Sequence, residues 1–207
     1  TALPNQTTLA AKENLLSFFG RANYTLMDKY LLTVTVRADG SSKFAKGNQW
    51  GVFPSAALAW RISDEQFMQN TRNWLSSLKL RLSYGTAGNN RINSGLTYTA
   101  YSLSSNTARA PFFNGDRTSM MELGSYLYNP KLKWETTVTR NFGIDYGFWN
   151  NRLSGSIDLY WNTTNDLLMK TEIPANAGYN YQYQNFGSTS NKGVELSMNA
   201  IIADKKK

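Results

Sequence analysis

The chain of 207 residues contains no cysteine and no histidine. Without cysteine there is no disulfide framework and no thiolate metal site. Without histidine the common zinc sites, a Ser-His-Asp triad and an imidazole general base are excluded. An enzyme of this composition would have to run on carboxylates, Tyr, Lys or Ser. Long hydrophobic runs are missing as well: apolar stretches last a few residues, far short of the roughly 20 that a spanning helix needs. That exclusion does not reach membrane barrels, whose strands need only about 9 to 11 residues and dilute their apolar positions with polar ones. Acidic residues are the minority charge, 14 against 22 Lys and Arg, for a net charge of +8. The basic residues are scattered, with one cluster at Lys205, Lys206 and Lys207, and no basic helix or recognition motif accompanies them. They therefore do not point to nucleic acid. A polar inner wall and anionic headgroups account for them better.

What is present is alternation with period two. Tyr30, Leu32, Val34, Val36 and Ala38 fall on one side of a strand, and Leu31, Thr33, Thr35, Arg37 and Asp39 on the other. The pattern returns at Leu78, Leu80, Leu82 and Tyr84 against Lys79, Arg81, Ser83 and Gly85. It returns again at Leu153, Gly155, Ile157, Leu159 and Trp161 against Arg152, Ser154, Ser156, Asp158 and Tyr160. Seven such stretches are expected: 15–26, 30–39, 50–61, 78–86, 132–148, 152–165 and 193–203. Pro54 cannot donate to a ladder and implies a bulge or local break in the third. Asp64 to Asn70 reads as one short helix capped by Ser63, with Gln66 three residues on. Asn150-Asn151 tolerates positive φ and suits a hairpin.

The connections sort by length. Those after the first and fifth stretches are two or three residues, whereas 40–49, 87–131 and 166–190 are long and polar. The connection after the third, with its short helix, is the intermediate exception at about 15 residues. Short turns on one side and long loops on the other are the habit of an outer-membrane barrel. Long loops of this kind are usually functional. Aromatics such as Tyr24, Tyr30, Trp50, Trp60, Tyr84, Trp134, Tyr146, Phe148, Trp149, Tyr160 and Trp161 gather near strand ends, where amphipathic rings favour headgroups. One residue departs from the rule. Arg140 shares the parity of Val138, Phe142, Ile144 and Tyr146, and a lipid-facing Arg at mid-bilayer costs roughly 2 to 4 kcal/mol. It must lie near an interface, snorkel, or follow a bulge that changes the phase.

Local sequences then match a family. The run Phe19-Gly20-Arg21-Ala22-Asn23-Tyr24, the run Asp28-Lys29-Tyr30-Leu31-Leu32-Thr33 and the run Arg37-Ala38-Asp39-Gly40-Ser41-Ser42-Lys43-Phe44 carry the likeness. So do Trp50-Gly51-Val52-Phe53-Pro54-Ser55, Leu78 to Gly85, Asn129-Pro130-Lys131-Leu132-Lys133-Trp134-Glu135, Asn150-Asn151-Arg152-Leu153 and Asn191-Lys192-Gly193-Val194-Glu195-Leu196. In this order they resemble the barrel of SusC/RagA-type TonB-dependent transporters from residue 15 to 200. The resemblance implies an all-β, antiparallel transmembrane barrel of about 22 strands with a plugged lumen, of which this chain supplies about seven. It also implies the outer membrane of Bacteroidetes-like bacteria, with its lipids as surroundings. A SusD-like surface lipoprotein, the TonB complex and uptake of oligosaccharides or peptides are implied in the same way. On this reading 1–14 is an incoming loop, 15–203 a partial barrel and 204–207 a periplasmic turn, within a longer exported polypeptide.

Aromatic faces stack on sugars, so the substrate-contact candidates are the loop residues Tyr98, Tyr101, Phe112, Phe113, Tyr179, Tyr181 and Tyr183, with Tyr126 and Tyr128 beside them. Their alternative role is to pack loops together or against the lid protein. Candidates for the lumen lining are Arg21, Arg37, Asp39, Arg81, Glu135, Asp158 and Glu195, with Arg61, Lys79 and Asp145. Asp39 and Asp116 lie in no calcium-loop motif, so no metal or cofactor is expected. A carboxylate-based glycosidase needs two converging acids, and no pair is singled out. The other reading of the chain is a soluble all-β carbohydrate-binding module. The fate of Leu32, Val34, Val36, Leu80, Leu82, Ile157 and Leu159 separates the two. In a sandwich they meet a second sheet, and in a barrel they form an outward belt.

Overall fold

The alternating stretches pair into a single seven-stranded antiparallel sheet. A computed structural model describes residues 13–98, 101–103, 112–113, 116–117, 121–174, 176 and 178–202. The sheet contains β1 (Leu15–Leu26), β2 (Tyr30–Ser41), β3 (Trp50–Arg61), β4 (Leu75–Asn89), β10 (Glu135–Phe148), β11 (Leu153–Asn165) and β14 (Ser188–Ala200), neighbours in that order. Between β4 and β10 run the short strands β5 (Tyr101–Leu103), β6 (Phe112–Phe113), β7 (Asp116–Arg117), β8 (Met121–Leu123) and β9 (Tyr126–Leu127). Between β11 and β14 run β12 (Leu168–Glu172) and β13 (Tyr181–Asn185).

Register gathers most of the apolar strand side chains on one face, with Leu31 and Phe53 among those on the other. Tyr24, Leu32, Leu58, Leu82, Phe142, Leu159 and Val194 form one row across all seven strands. Leu26, Tyr30, Trp60, Leu80, Ile144, Ile157 and Leu196 form the next. No second sheet covers this face among the described residues, and Leu32, Val34, Leu82, Ile157 and Leu196 stand exposed on it. The described residues thus lack the covering sheet that the sandwich alternative requires. At the short-turn end the rings of Tyr30 and Trp60 stack at 6.1 Å and those of Trp74 and Phe148 at 5.8 Å.

The turns follow their residues. Met27 and Asp28 adopt positive φ, and so do Trp149, Asn150 and Asn151, so the second tight turn takes three left-handed residues rather than two. Pro54 causes the local break and no bulge. It stays in register with Val36, while the ladder between β3 and β4 stops at Ser55 and Gly85. The Pro54 carbonyl faces β4 and accepts from the Thr86 hydroxyl at 3.0 Å, so the missing donor lies on the side where the ladder has already ended.

The expected helix at 64–70 is two 3₁₀ turns, Ile62–Asp64 and Gln66–Thr71, separated by Glu65 in extended conformation. Ser63 makes no cap. Instead, the Glu65 carboxylate is drawn to the sheet, where it accepts from the Tyr30 hydroxyl (2.7 Å), Trp60 Nε1 (3.1 Å) and Lys29 Nζ (3.0 Å). Three tertiary hydrogen bonds outweigh one local cap. Described parts of the long connections form strands of their own. β12, β13 and β9 form a three-stranded sheet that joins 87–131 to 166–190, β9 running parallel to β13. Of the expected terminal segments, 1–12 and 203–207 lie outside the described residues.

Candidate functional site

The face opposite the apolar belt carries the ion-paired charges of the sheet, with small side chains beside Arg81. Arg81 on β4 donates from Nε to Asp145 on β10 at 3.0 Å, and from Nη2 to both oxygens of Asp158 on β11 at 3.0 and 3.1 Å. Lys79 lies 3.8 Å from Asp145. Arg37 donates to Asp39 at 2.7 Å, with Asp39 buried. Arg21 reaches the Thr35 hydroxyl at 3.1 Å. Glu195 is placed beside Asp158 by register and extends the acidic side of this cluster across β14. Beside Arg81 the small residues Ala57, Ala59 and Ser83 leave a hollow of about 370 Å³ on this inner face, with Leu31, Thr33 and Asn141.

Glu135 stands apart from that wall. Its carboxylate accepts from Asn89 Nδ2 at 2.9 Å and from the Leu168 backbone N–H at 3.0 Å. It fastens the start of β10 to both long connections, a bracing role that strand parity alone does not reveal.

Above the sheet, at the long-loop end, lies a compact apolar cap. Phe44, Phe53, Ile92, Leu96, Leu132 and Trp134 are buried in it, with Tyr126, Leu168 and Tyr183 packed against them. Leu132 and Trp134 precede β10 instead of belonging to it, so the fifth stretch starts three residues later than its hydrophobic pattern implies. Phe44 and Trp134 meet at 5.4 Å, Phe53 and Trp134 edge-on at 5.5 Å, and Trp134 Nε1 donates to the Gln49 carbonyl at 3.0 Å. The ring of Phe53 fills the space that a Cβ on Gly88 would take.

The cap decides where the aromatic candidates go. On β13 successive side chains point to opposite faces. Tyr183 turns to the cap, Tyr181 meets Tyr126 at 6.1 Å, and Lys170 Nζ sits 3.8 Å over the Tyr181 ring. Burial raises the Tyr126 phenol above its ordinary range. Gln182 and Gln184 take the other face and line a polar hollow of about 540 Å³ with Asn129, Lys131, Lys133, Asp166 and Asn185. Asn185 holds its rim by donating to the carbonyls of Lys133 and Asp166, both at 2.9 Å, and Lys133 pairs with Asp166 at 2.8 Å. The tyrosine candidates Tyr181 and Tyr183 thus lie on one face of β13 and the glutamines between them on the other. The sequence signal of this split is the Tyr-Gln-Tyr-Gln alternation itself, which marks a strand with one face packed. Tyr98 is exposed and Tyr179 half-buried. Tyr101 lies on β5 and Phe112 and Phe113 form β6, their side chains falling outside the described residues.

Comparison with known proteins agrees with this geometry. Residues 2–201 match the family described as TonB dependent receptor-like, beta-barrel. The chain is 45% identical over 200 residues to the TonB-dependent receptor SusC of Bacteroides thetaiotaomicron, covering 96% of this chain and 20% of that protein. It is 43% identical over 185 residues to the TonB-dependent receptor P26 of Formosa agariphila, covering 89% of this chain and 18% of that one. Among solved structures, the RagAB peptide transporter superposes with a TM-score of 0.82 at 35% identity, over 94% of this chain and 20% of that chain. The siderophore receptor PirA from Pseudomonas aeruginosa shares the fold alone, with a TM-score of 0.58 at 17% identity over 91% of this chain and 31% of that one. The chain thus spans about a fifth of the length of the curated relatives it matches. It belongs to the TonB-dependent receptor β-barrel family of outer-membrane proteins.

Proposed function

We propose that this chain is a wall-and-loop segment of an active importer for oligosaccharides or peptides. The observation that carries the reading is the pairing of a lipid-ready apolar face with a charged inner face, under loops gathered at one end. The ion-paired wall around Arg81 bounds the transport path, and the 370 Å³ hollow beside it accepts a plug or passing substrate. Asn129, Gln182 and Gln184 offer amide donors and acceptors, which suit the hydroxyls of a glycan and the backbone of a peptide equally. The exposed loop end is the surface on which a SusD-like lipoprotein closes. Energy comes from the TonB complex through parts of the protein other than this segment. The segment itself makes and breaks no covalent bond.

The test uses the full-length protein carrying this segment in its native membrane. It is expected in the detergent-extracted outer-membrane fraction, with a surface lipoprotein co-purifying. Uptake of labelled oligosaccharide or peptide should stop when an uncoupler collapses the proton gradient. Recovery of the protein in detergent-free soluble fractions would overturn the barrel reading, and uncoupler-insensitive uptake the transport reading.

A further inference from the structure

The outward face contains one row that breaks its own rule. From β1 to β14 it reads Ala22, Val34, Ala56, Tyr84, Arg140, Trp161 and Lys192. β10 holds its register against both neighbours through this point, with a shift only at Gly147 and Phe148, so no bulge turns Arg140 inward. Its guanidinium lies 6.0 Å from the centre of the Tyr84 ring, and Trp161 is its register partner on the other side. Neither Arg140 nor Lys192 forms an ion pair among the described residues. The row below is wholly apolar. The row above, toward the long loops, reads Gly20, Val36, Pro54, Thr86, Val138, Thr163 and Ser190. It turns polar on β4, β11 and β14, the strands around the two cations, while it stays apolar on β2 and β10. The two cations therefore stand where hydrocarbon gives way to headgroups on the long-loop side.

A groove leads up to them. It has a volume of about 470 Å³ and is walled by Leu32, Leu58, Leu82 and Phe142, with Tyr84, Trp161 and Arg140 at its head. Its depth comes from Ala56, a small side chain between Val34 and Tyr84. It lies in the middle of the sheet, away from the β1 and β14 edges.

We propose that this groove is a lipid site: it holds an acyl chain of a phosphorylated lipid of the outer leaflet, with the headgroup phosphate bound by Arg140 and Lys192. The two cations sit two strands apart, about 10 Å along the ladder, and both reach one headgroup bearing two phosphates. The flanking Tyr84 and Trp161 rings occupy the level such side chains prefer in a membrane interface. The inference needs the apolar face to meet lipid and is independent of what the protein imports.

The experiment is native mass spectrometry of the full-length protein in mild detergent, titrated with diphosphorylated lipid A and, separately, with the same lipid stripped of its phosphates. The expected result is one retained lipid A per barrel, weakened roughly tenfold or more in Arg140→Gln/Lys192→Gln. Arg140→Lys should keep binding, and Ala56→Trp should lose it by filling the groove. Resistance of the unheated barrel to dodecyl sulfate checks folding of each variant. Equal retention by the double variant, or equal retention of the dephosphorylated lipid, would overturn the proposal. So would displacement of the lipid by inorganic phosphate alone, since the acyl groove would then contribute nothing. Membrane extraction is scored in the same preparation, so a failed barrel assignment is distinguished from a failed lipid site.

Discussion

Arg81 reaches Asp158 across an intervening strand, passing over Gly143. Gly143 is the register partner of both residues, and a Cβ there would lie 2.6 Å from Asp158 Oδ1 and 2.8 Å from Arg81 Cζ. The glycine leaves open the space through which the Arg81 guanidinium on β4 meets both carboxylate oxygens of Asp158 on β11. In Arg81→Gln/Asp158→Asn double-mutant cycles on the full-length barrel, unfolding in lipid should show coupling of about 1 kcal/mol. That coupling should vanish in a Gly143→Val background. The obstructing atoms are ends of flexible side chains, so the fold itself should persist.

Glu65 gathers Lys29, Tyr30 and Trp60, and so ties the β1–β2 turn to the connection after β3. The hydrogen bonds from Tyr30, Trp60 and Lys29, in that order of weight, hold its carboxyl down to about 2 from an ordinary 4.5. A carboxyl depressed by folding favours the native state above its unfolded value and loses that contribution as the pH falls through the folded one. Protection of amides in the 62–74 connection, taken relative to the intrinsic exchange rate at each pH, should therefore fall between pH 4.5 and 2. Glu65→Gln should show fast exchange at neutral pH and no step in that window.

The loop cap rests on a few buried rings. Phe44 and Leu132 are fully buried, so Phe44→Ala should cost about 3 to 5 kcal/mol locally. Hydrogen exchange in β12 and β13 should rise with it, whereas β2, β3 and β10 keep their protection. Limited proteolysis of 87–131 offers a second readout, and unchanged cleavage would mean that the cap is not a cooperative unit.

The β13 alternation makes a prediction about ligand. Gln184→Ala should weaken binding of the imported oligosaccharide or peptide about fivefold, the worth of one hydrogen bond, with little change in stability. Tyr183→Ala should instead loosen the cap and change protease sensitivity first. Calorimetry on the purified full-length protein separates the two, and an unaltered affinity in Gln184→Ala would move the substrate elsewhere in the loops.

Period-two alternation determined the strands, their faces and the sorting of short turns from long loops. Those features depend on the pleat and on residues within a few positions of one another. They were readable in Leu32, Val34 and Val36 without any neighbour. Three things needed the tertiary structure. Glu65 abandons a helix for Tyr30, Lys29 and Trp60, partners that only the pairing of β2 with β3 brings near. Tyr183 and Gln182 part ways because Phe44, Leu96 and Trp134, up to about 140 residues distant in sequence, bury one face of β13. Arg140 stands beside Tyr84 and Trp161 because strand register, set by the rest of the sheet, admits no bulge at that point. Local pattern thus decided which way each side chain faces, and long-range pairing decided what it faces.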